Sequence, residues 1–317
     1  MLTTYTTVPA GPYSKGSRRC WYDLLNPTPE ESARVSSECG VQVPSREALE
    51  EIETSSRLRA DGTVLYLSMP LAVADDPTKF APVPLGFVLS PSLLITVRYS
   101  EVHAFATVKA RTETGEHLEP PALFVALIEA MVDYGADLLE KLSGELANVS
   151  QRTFGHRTIA ASERHATPAL RECLAQIGMA GDHSSRVRES LLGLQRITGF
   201  VNDIATGWLA PELQARLKTA RQDLASLVDF ETHLAGKTQF LLDAVLGFIS
   251  TEQNDIFKIL TIVSVVGIPP TLISSMYGMN FHYMPELSWR YGYAFGLGLI
   301  ALSTLVPIIW FKRRGWW

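Results

Sequence analysis

Tyr277-Gly278-Met279-Asn280 closes one long apolar run, and only the short segment Phe281–Arg290 separates it from a second. The chemistry this tetrapeptide can offer is that of oriented carbonyl dipoles. Asn280 supplies a side-chain carboxamide and Gly278 a backbone carbonyl. Repeated around an axis, such groups make a ring of acceptors with no full charge, able to hold a cation through its hydration waters and weak enough to let it leave. Gly278 is expected to take a backbone conformation closed to other residues as the helix ends. Tyr277 and Met279 are expected to lock the turn by packing. A plain helix cap with Asn in a turn is the competing explanation.

The elements on either side must place that tip. From Ile256 to Tyr277 the chain reads IFKILTIVSVVGIPPTLISSMY with Lys258 as its only charge, and from Tyr291 to Phe311 it reads YGYAFGLGLIALSTLVPIIWF with none. Each run is long enough to cross about 30 Å of hydrocarbon at about 1.5 Å per residue. Buried core helices are the alternative, but two such runs back to back read as membrane spans. Lys and Arg beside a span are retained in the cytoplasm. The tail Lys312-Arg313-Arg314-Gly315-Trp316-Trp317 is basic and then aromatic, Lys258 can snorkel at the other inner entry, and the loop between the spans holds one Arg and one Glu. Both termini are therefore expected in the cytoplasm, with the protein a multi-pass component of the inner (plasma) membrane.

The helix carrying the tip starts far upstream. Ala210-Pro211-Glu212 puts a proline and an acid in a first turn, and no further proline occurs until Pro269. Along it Leu213, Leu217, Ala220, Leu224, Leu227, Glu231, Leu234, Thr238, Leu241, Val245 and Phe248 follow alternating steps of four and three, the spacing of a coiled-coil-like seam. Roughly opposite run Gly236, Phe240, Asp243, Gly247, Ser250 and Asn254. That stripe continues through Phe257, Leu260 or Thr261, Ser264, Ile268, Thr271, Ser275 and Gly278. A small and polar stripe facing away from an apolar seam suits a helix that lines a lumen; a solvated stalk face followed by small-residue helix packing fits the same pattern. The hairpin decides between them. One such helix cannot enclose a conduit, so several copies must assemble around an axis.

Composition agrees with one soluble region plus a hairpin. The chain has 317 residues, a net charge of −5 and 46% hydrophobic residues, too polar for a many-span transporter. Cys20, Cys39 and Cys173 are few and unpatterned, which suits a reducing compartment and argues against a disulfide framework or thiolate metal site. The first residues show no apolar stretch of the secretory type. Residues 1–115 are predicted as a cytoplasmic α/β domain, with strands in 18–25, 63–73, 84–90, 92–100 and 104–108, and a helix opened by the capping box Thr28-Pro29-Glu30-Glu31 that closes before Gly40. Residues 116–209 are predicted helical, 210–255 a stalk, 256–280 the first span, 281–290 the outer loop, 291–311 the second span and 312–317 the basic tail.

The run from Asn254 to the C-terminus, with Tyr277-Gly278-Met279-Asn280 and Met284-Pro285-Glu286-Leu287 as its most specific pair, resembles the membrane module of the CorA magnesium and cobalt channel family. WYDLLNPTPEE and LLITVRYSEVHAF are similar to weaker signatures of that family, so the likeness spans the whole chain. The fold it implies is an α/β cytoplasmic domain with a long helical stalk entering a two-helix transmembrane hairpin, assembled as a symmetric homopentamer within the lipid bilayer. The function it implies is passive, potential-driven movement of Mg2+, with Co2+ or Ni2+ as passengers, through a filter of Tyr277, Gly278, Met279 and Asn280. It also implies gate roles for Leu260 and Ile268 and a polar ring at Asn254.

Phe257 offers a further apolar constriction, where rings can gate by dewetting, and Thr271 supplies a hydroxyl. Asp243, Ser264 and Ser275 complete the pore-lining set. Glu286 can concentrate cations at the outer mouth, diluted by His282 and Arg290. Pro269-Pro270 reads as a hinge or as a packing feature. Family members close when magnesium fills acidic sites between neighbouring domains. The corresponding stalk position here is Thr219, with Asp223 one turn later as the nearest carboxylate and Asp75 and Asp76 as candidate partners.

No phosphate loop, nucleophile elbow or paired metal ligands appear, so neither an enzyme, a resident cofactor nor a nucleic-acid partner is expected. A zinc-transporting relative and a non-conducting membrane-anchored metal sensor remain as alternatives. The scattered histidines and the retained Tyr-Gly-Met-Asn and Met-Pro-Glu-Leu wording favour a hard ion such as magnesium.

Overall fold

Thr28 opens the first helix, α1 (Pro29–Cys39), by a reciprocal cap. Its hydroxyl accepts from the Glu31 N–H at 3.2 Å while the Glu31 carboxylate accepts from the Thr28 N–H at 3.0 Å, and Gly40 ends the helix in the left-handed region at φ 66°. The computed structural model describes residues 2–5, 21–51, 53–76, 79–113, 118–159, 166–279, 282 and 284–316.

The chain divides into two compact units, Met1–Ser162 with Glu172–Leu242, and Glu163–Arg171 with Asp243–Trp317. The first is an α/β layer structure. Its strands are β1 (Leu2–Tyr5), β2 (Trp21–Leu25), β3 (Leu58–Asp61), β4 (Val64–Asp76), β5 (Lys79–Ser90) and β6 (Leu93–Arg98), in the order β1-β2-β6-β5-β4-β3. Only β2 and β6 run parallel; the other neighbours are antiparallel.

Alternation of side chains gives this sheet two apolar faces. On one, Tyr22, Leu24, Val88, Ile95 and Val97 pack with Val35 of α1 and with Leu49 of α2 (Arg46–Glu50). On the other, Phe87 meets Phe124 of α5 (Pro120–Ile159) edge-on, with ring centroids 5.5 Å apart, and Ser190 of α6 (Ala166–Ile204) accepts from the Ala72 N–H at 2.6 Å. A four-residue helix, α3 (Thr54–Arg57), leads into β3.

Residues 104–108, predicted as a strand, instead lie in a helix, α4 (His103–Glu113). Ala104, Phe105 and Val108 are all buried, at the i, i+1, i+4 spacing of a helical face, and the Val102 carbonyl accepts from the Phe105 N–H at 3.0 Å to start the turn.

Beyond α6, one helix of 67 residues, α7 (Pro211–Tyr277), runs unbroken through Pro269 and Pro270, a length of about 100 Å. The seam read from sequence is inward throughout its course: Leu217, Ala220, Leu224, Glu231, Leu234, Leu241 and Val245 are buried, and Leu213, Leu227, Thr238 and Phe248 are half-buried. Glu231 is the seam's ionic member, 2% exposed, accepting from Ser184 Oγ at 2.9 Å and paired with Arg188. A final helix, α8 (Gly292–Arg313), follows a 3-10 turn at Pro285–Ser288.

Candidate functional site

Along α7 most of the small and polar stripe is open within this chain. Asp243, Asn254, Phe257, Leu260, Ile268, Thr271 and Ser275 are exposed and Ser264 is half-buried. On an ideal helix, Asn254 through Ser275 of this set fall within an arc of about 120°. Large apolar side chains in it are among the most open of the chain: Phe257 is 65% exposed and Ile268 64%. Such groups call for contact with something outside this chain. Thr271 donates its hydroxyl proton to the Gly267 carbonyl at 2.8 Å, so what it can turn outward is acceptor lone pairs.

The tip is built by a tightening of the last turn. The Gly278 N–H is shared between the Ser274 and Ser275 carbonyls, at 3.1 and 3.2 Å, and the Met279 N–H reaches the Met276 carbonyl at 3.3 Å. Gly278 is not left-handed, contrary to the sequence expectation; the described glycines at positive φ are Gly40, Gly62 and Gly315. A Cβ there would stand 3.3 Å from the Ser274 carbonyl oxygen, a tight approach, and 3.5 Å from that of Ser275, an ordinary contact. Tyr277 is half-buried, whereas Met279 is 50% exposed and so does not close the turn by packing within this chain. Asn280 lies outside the described residues, as does Cys20.

The surroundings of the stripe are apolar. The most hydrophobic 18-residue window of α7 has a mean hydropathy of 2.0 with none of it buried, and that of α8 has 2.1 with 6% buried. Aromatic side chains mark both ends of α8: Trp289 packs against Tyr291 and Phe295 before and within its first turn, and Trp310 against Phe311 in its last. Tryptophan and tyrosine at both ends of an uncovered apolar helix are the signature of two membrane–water interfaces.

A family model described as CorA-like Mg2+ transporter protein matches residues 16–313. The chain belongs to the CorA family. The magnesium transport protein CorA of Escherichia coli (strain K12) is 32% identical over 298 residues, which cover 93% of this chain and 91% of that one. The protein of the same name from Salmonella typhimurium is 32% identical over the same extent. Among solved structures, the complete CorA magnesium transporter from Methanocaldococcus jannaschii superposes with a TM-score of 0.76 at 19% identity, covering 97% of this chain and 95% of that one. The full-length CmaX protein superposes with a TM-score of 0.68 at 18% identity, covering 94% and 88%. The CorA architecture of a soluble α/β domain, a long helix and C-terminal apolar helices is thus this chain's own, and its family is one of membrane transporters, not of enzymes.

The residues named for CorA-type metal sensing belong to two elements. Thr219 and Asp223 are exposed on α7, with the Thr219 hydroxyl donating to the Ala215 carbonyl at 3.2 Å, while Asp75 and Asp76 end β4. Among the described residues no three His, Cys, Asp or Glu side chains gather as a metal site. Glu286 falls in the 3-10 turn between α7 and α8.

Two features near the start of the apolar half of α7 and the end of α8 escaped the sequence reading. Asp255 pairs with Lys258 at 2.9 Å, one turn apart, so this cation is not free. Gly315 ends α8 at φ 69°. A glycine directly after Lys-Arg-Arg is a helix-stop signal that the emphasis on charge overlooked.

Proposed function

We propose that the chain is one subunit of a passive channel for Mg2+, with Co2+ and Ni2+ as weaker passengers, and that five copies surround the conduit. The observation carrying this reading is the uncovered stripe from Asn254 to Gly278 on a single helix that ends in Tyr-Gly-Met-Asn, in a chain of the CorA family. The relatives named magnesium transport protein support the choice of ion.

Each residue has a role that its chemistry suits. Magnesium dehydrates reluctantly, so a fast site must read its water shell. Asn280 carboxamides and Gly278 carbonyls accept from those waters without a full charge, which keeps the ion from lodging. Ser275, Thr271, Ser264 and Asn254 offer further acceptors down the stripe, Ile268, Leu260 and Phe257 form rings that shut by dewetting when the helices draw together, and Asp243 faces the cytoplasmic continuation. Glu286 draws cations to the outer mouth. An inside-negative potential of about 100 mV favours inward movement of a divalent ion by about 4.6 kcal/mol, twice the charge-one value, so no nucleotide is required. The basic tail and Lys258 favour both termini in the cytoplasm of the inner membrane. Asp223 is the weakest member of the set, a candidate regulatory ligand on an exposed stalk face.

The test is uptake into proteoliposomes with a valinomycin-imposed potential and a magnesium-sensitive dye inside. Signal that tracks the potential and disappears in Asn280→Ala is the expected result. Intact oligomers with no flux support a metal sensor, flux of zinc in preference to magnesium supports a zinc transporter, and either outcome overturns the reading.

A further inference from the structure

Where α8 ends, the chain folds back and closes a cleft of about 680 Å3 against the inner part of the apolar half of α7. Its α7 wall carries Asp255, Lys258, Ile259 and Val263, and its other wall is the turn Arg314-Gly315-Trp316. That turn is a built feature. The Trp316 N–H donates to the Phe311 carbonyl at 3.1 Å and the Gly315 N–H to the Lys312 carbonyl at 3.2 Å, with Gly315 left-handed between them. These are the two paired bonds of a Schellman motif, completed by the Trp316 ring lying back on Phe311 with centroids 5.4 Å apart. Phe311, only 3% exposed, is held under this turn, and Ile262, which also lines the cleft, is 9% exposed. Elsewhere the described apolar side chains of this part of the hairpin stand open: Ile259 is 63% exposed and Val263 64%.

The cleft therefore has two chemistries side by side. Its rim holds Lys258, already paired to Asp255, and the Arg314 guanidinium, stacked 5.1 Å from the Trp310 ring centroid. Its wall is a strip of uncovered aliphatic side chains. A free anion uses the rim and leaves the wall bare; a zwitterionic lipid covers the wall and has no net charge for the rim. An anionic glycerophospholipid satisfies both. We propose that this cleft is a binding site for an anionic phospholipid of the inner leaflet, its phosphate between Lys258 and Arg314 and an acyl chain along Ile259 and Val263. Basic pockets between spans on the cytoplasmic side are a recognised setting for such headgroups. The inference rests on the reading of α7 and α8 as spans with the basic tail inside.

Native mass spectrometry of the delipidated full chain in detergent tests it, with dioleoyl phosphatidylglycerol, dioleoyl phosphatidylcholine and inorganic phosphate as the probes. The wild type retains phosphatidylglycerol in preference to phosphatidylcholine, and inorganic phosphate does not displace it. Removing both cations in Lys258→Gln with Arg314→Gln lowers the apparent affinity for phosphatidylglycerol by about 30-fold, the ratio that two lost charges near a membrane surface correspond to. Gly315→Ala keeps every charge and strains only the turn, so it must also weaken the preference. A preference that survives Gly315→Ala is general attraction to a basic tail and overturns the site, as does a wild type with no preference or one displaced by phosphate. Flux of the same protein reconstituted in proteoliposomes is read separately: its absence with lipid selectivity intact refutes the channel and spares the site.

Discussion

Asp23 and Arg98 meet across the parallel strands β2 and β6 in a forked pair, Arg98 donating from Nε to Oδ1 at 3.0 Å and from Nη2 to Oδ2 at 2.9 Å. Lys109 of α4 stands 2.7 Å from the same Oδ2, and the Thr96 hydroxyl donates to Oδ1 at 2.8 Å while itself accepting from the Trp21 indole at 3.1 Å. With Asp23 and Arg98 almost wholly out of solvent, the cluster ties two strands and a helix together through one carboxylate.

Removing that carboxylate strands a buried guanidinium. Asp23→Asn is expected to cost about 3–5 kcal/mol, the usual penalty for breaking one side of a buried pair. Burial pushes the Asp23 carboxyl up, but Arg98 and then Lys109, by hydrogen bonds and charge, outweigh it and hold it below its ordinary value of 3.8. A depressed folded value means the contribution is present above that ordinary value and lost as pH falls through the lower folded one. Thermal unfolding of the full chain in detergent should thus show a wild-type advantage over Asp23→Asn at neutral pH that shrinks only below about pH 3.8. An equal gap at all pH values contradicts the assignment.

Two glycines of α6 should respond oppositely to the same change. A Cβ on Gly193 would lie 2.9 Å from the Met69 Cβ of β4, whereas one on Gly178 meets nothing within 4 Å. Gly193→Ala is expected to destabilise by about 1–3 kcal/mol through overpacking. Gly178→Ala should instead gain up to about 1 kcal/mol from helix propensity. Unfolding midpoints of the two variants, measured side by side, check the close approach of helix to sheet.

At the tip, the steric account of Gly278 separates from a stability account. Gly278→Ala brings a Cβ to 3.3 Å from the Ser274 carbonyl oxygen, a contact that the end of α7 relieves by a small shift while its packed seam is left alone. Magnesium flux is expected to fall at least about tenfold, with a change in unfolding free energy below about 1 kcal/mol. Normal flux in a correctly assembled Gly278→Ala variant would show that the end of α7 tolerates the shift.

Much of the architecture was written in local pattern. The Thr28–Glu31 box, the alternation in 63–73 and 84–90 and the four-three steps from Leu213 to Phe248 each specify an element from neighbours in sequence. The segment 104–108 misled because a five-residue run rich in Phe, Val and Thr is too short for its period to show, and tertiary contact decided it: Phe105 lies under the Arg98 guanidinium, 4.9 Å from its ring centroid. The short edge strands β1 and β3 had too few residues to display a pattern. Asp23 and Arg98 are 75 positions apart, and nothing local announces which strand lies beside which. The stripe on α7 was legible as a spacing, but its lack of cover became visible only once the seam was seen to take the other face.

Pro269 and Pro270 bring no N–H to the helix that contains them. The carbonyls of Val265 and Val266 thereby lose their regular partners, at a depth where water is scarce and each unmade bond is expensive. In a helix of 67 residues, two adjacent missing rungs weaken the ladder at one place. A bend in α7 is therefore easiest at these two imino acids, immediately before the Thr271 hydroxyl.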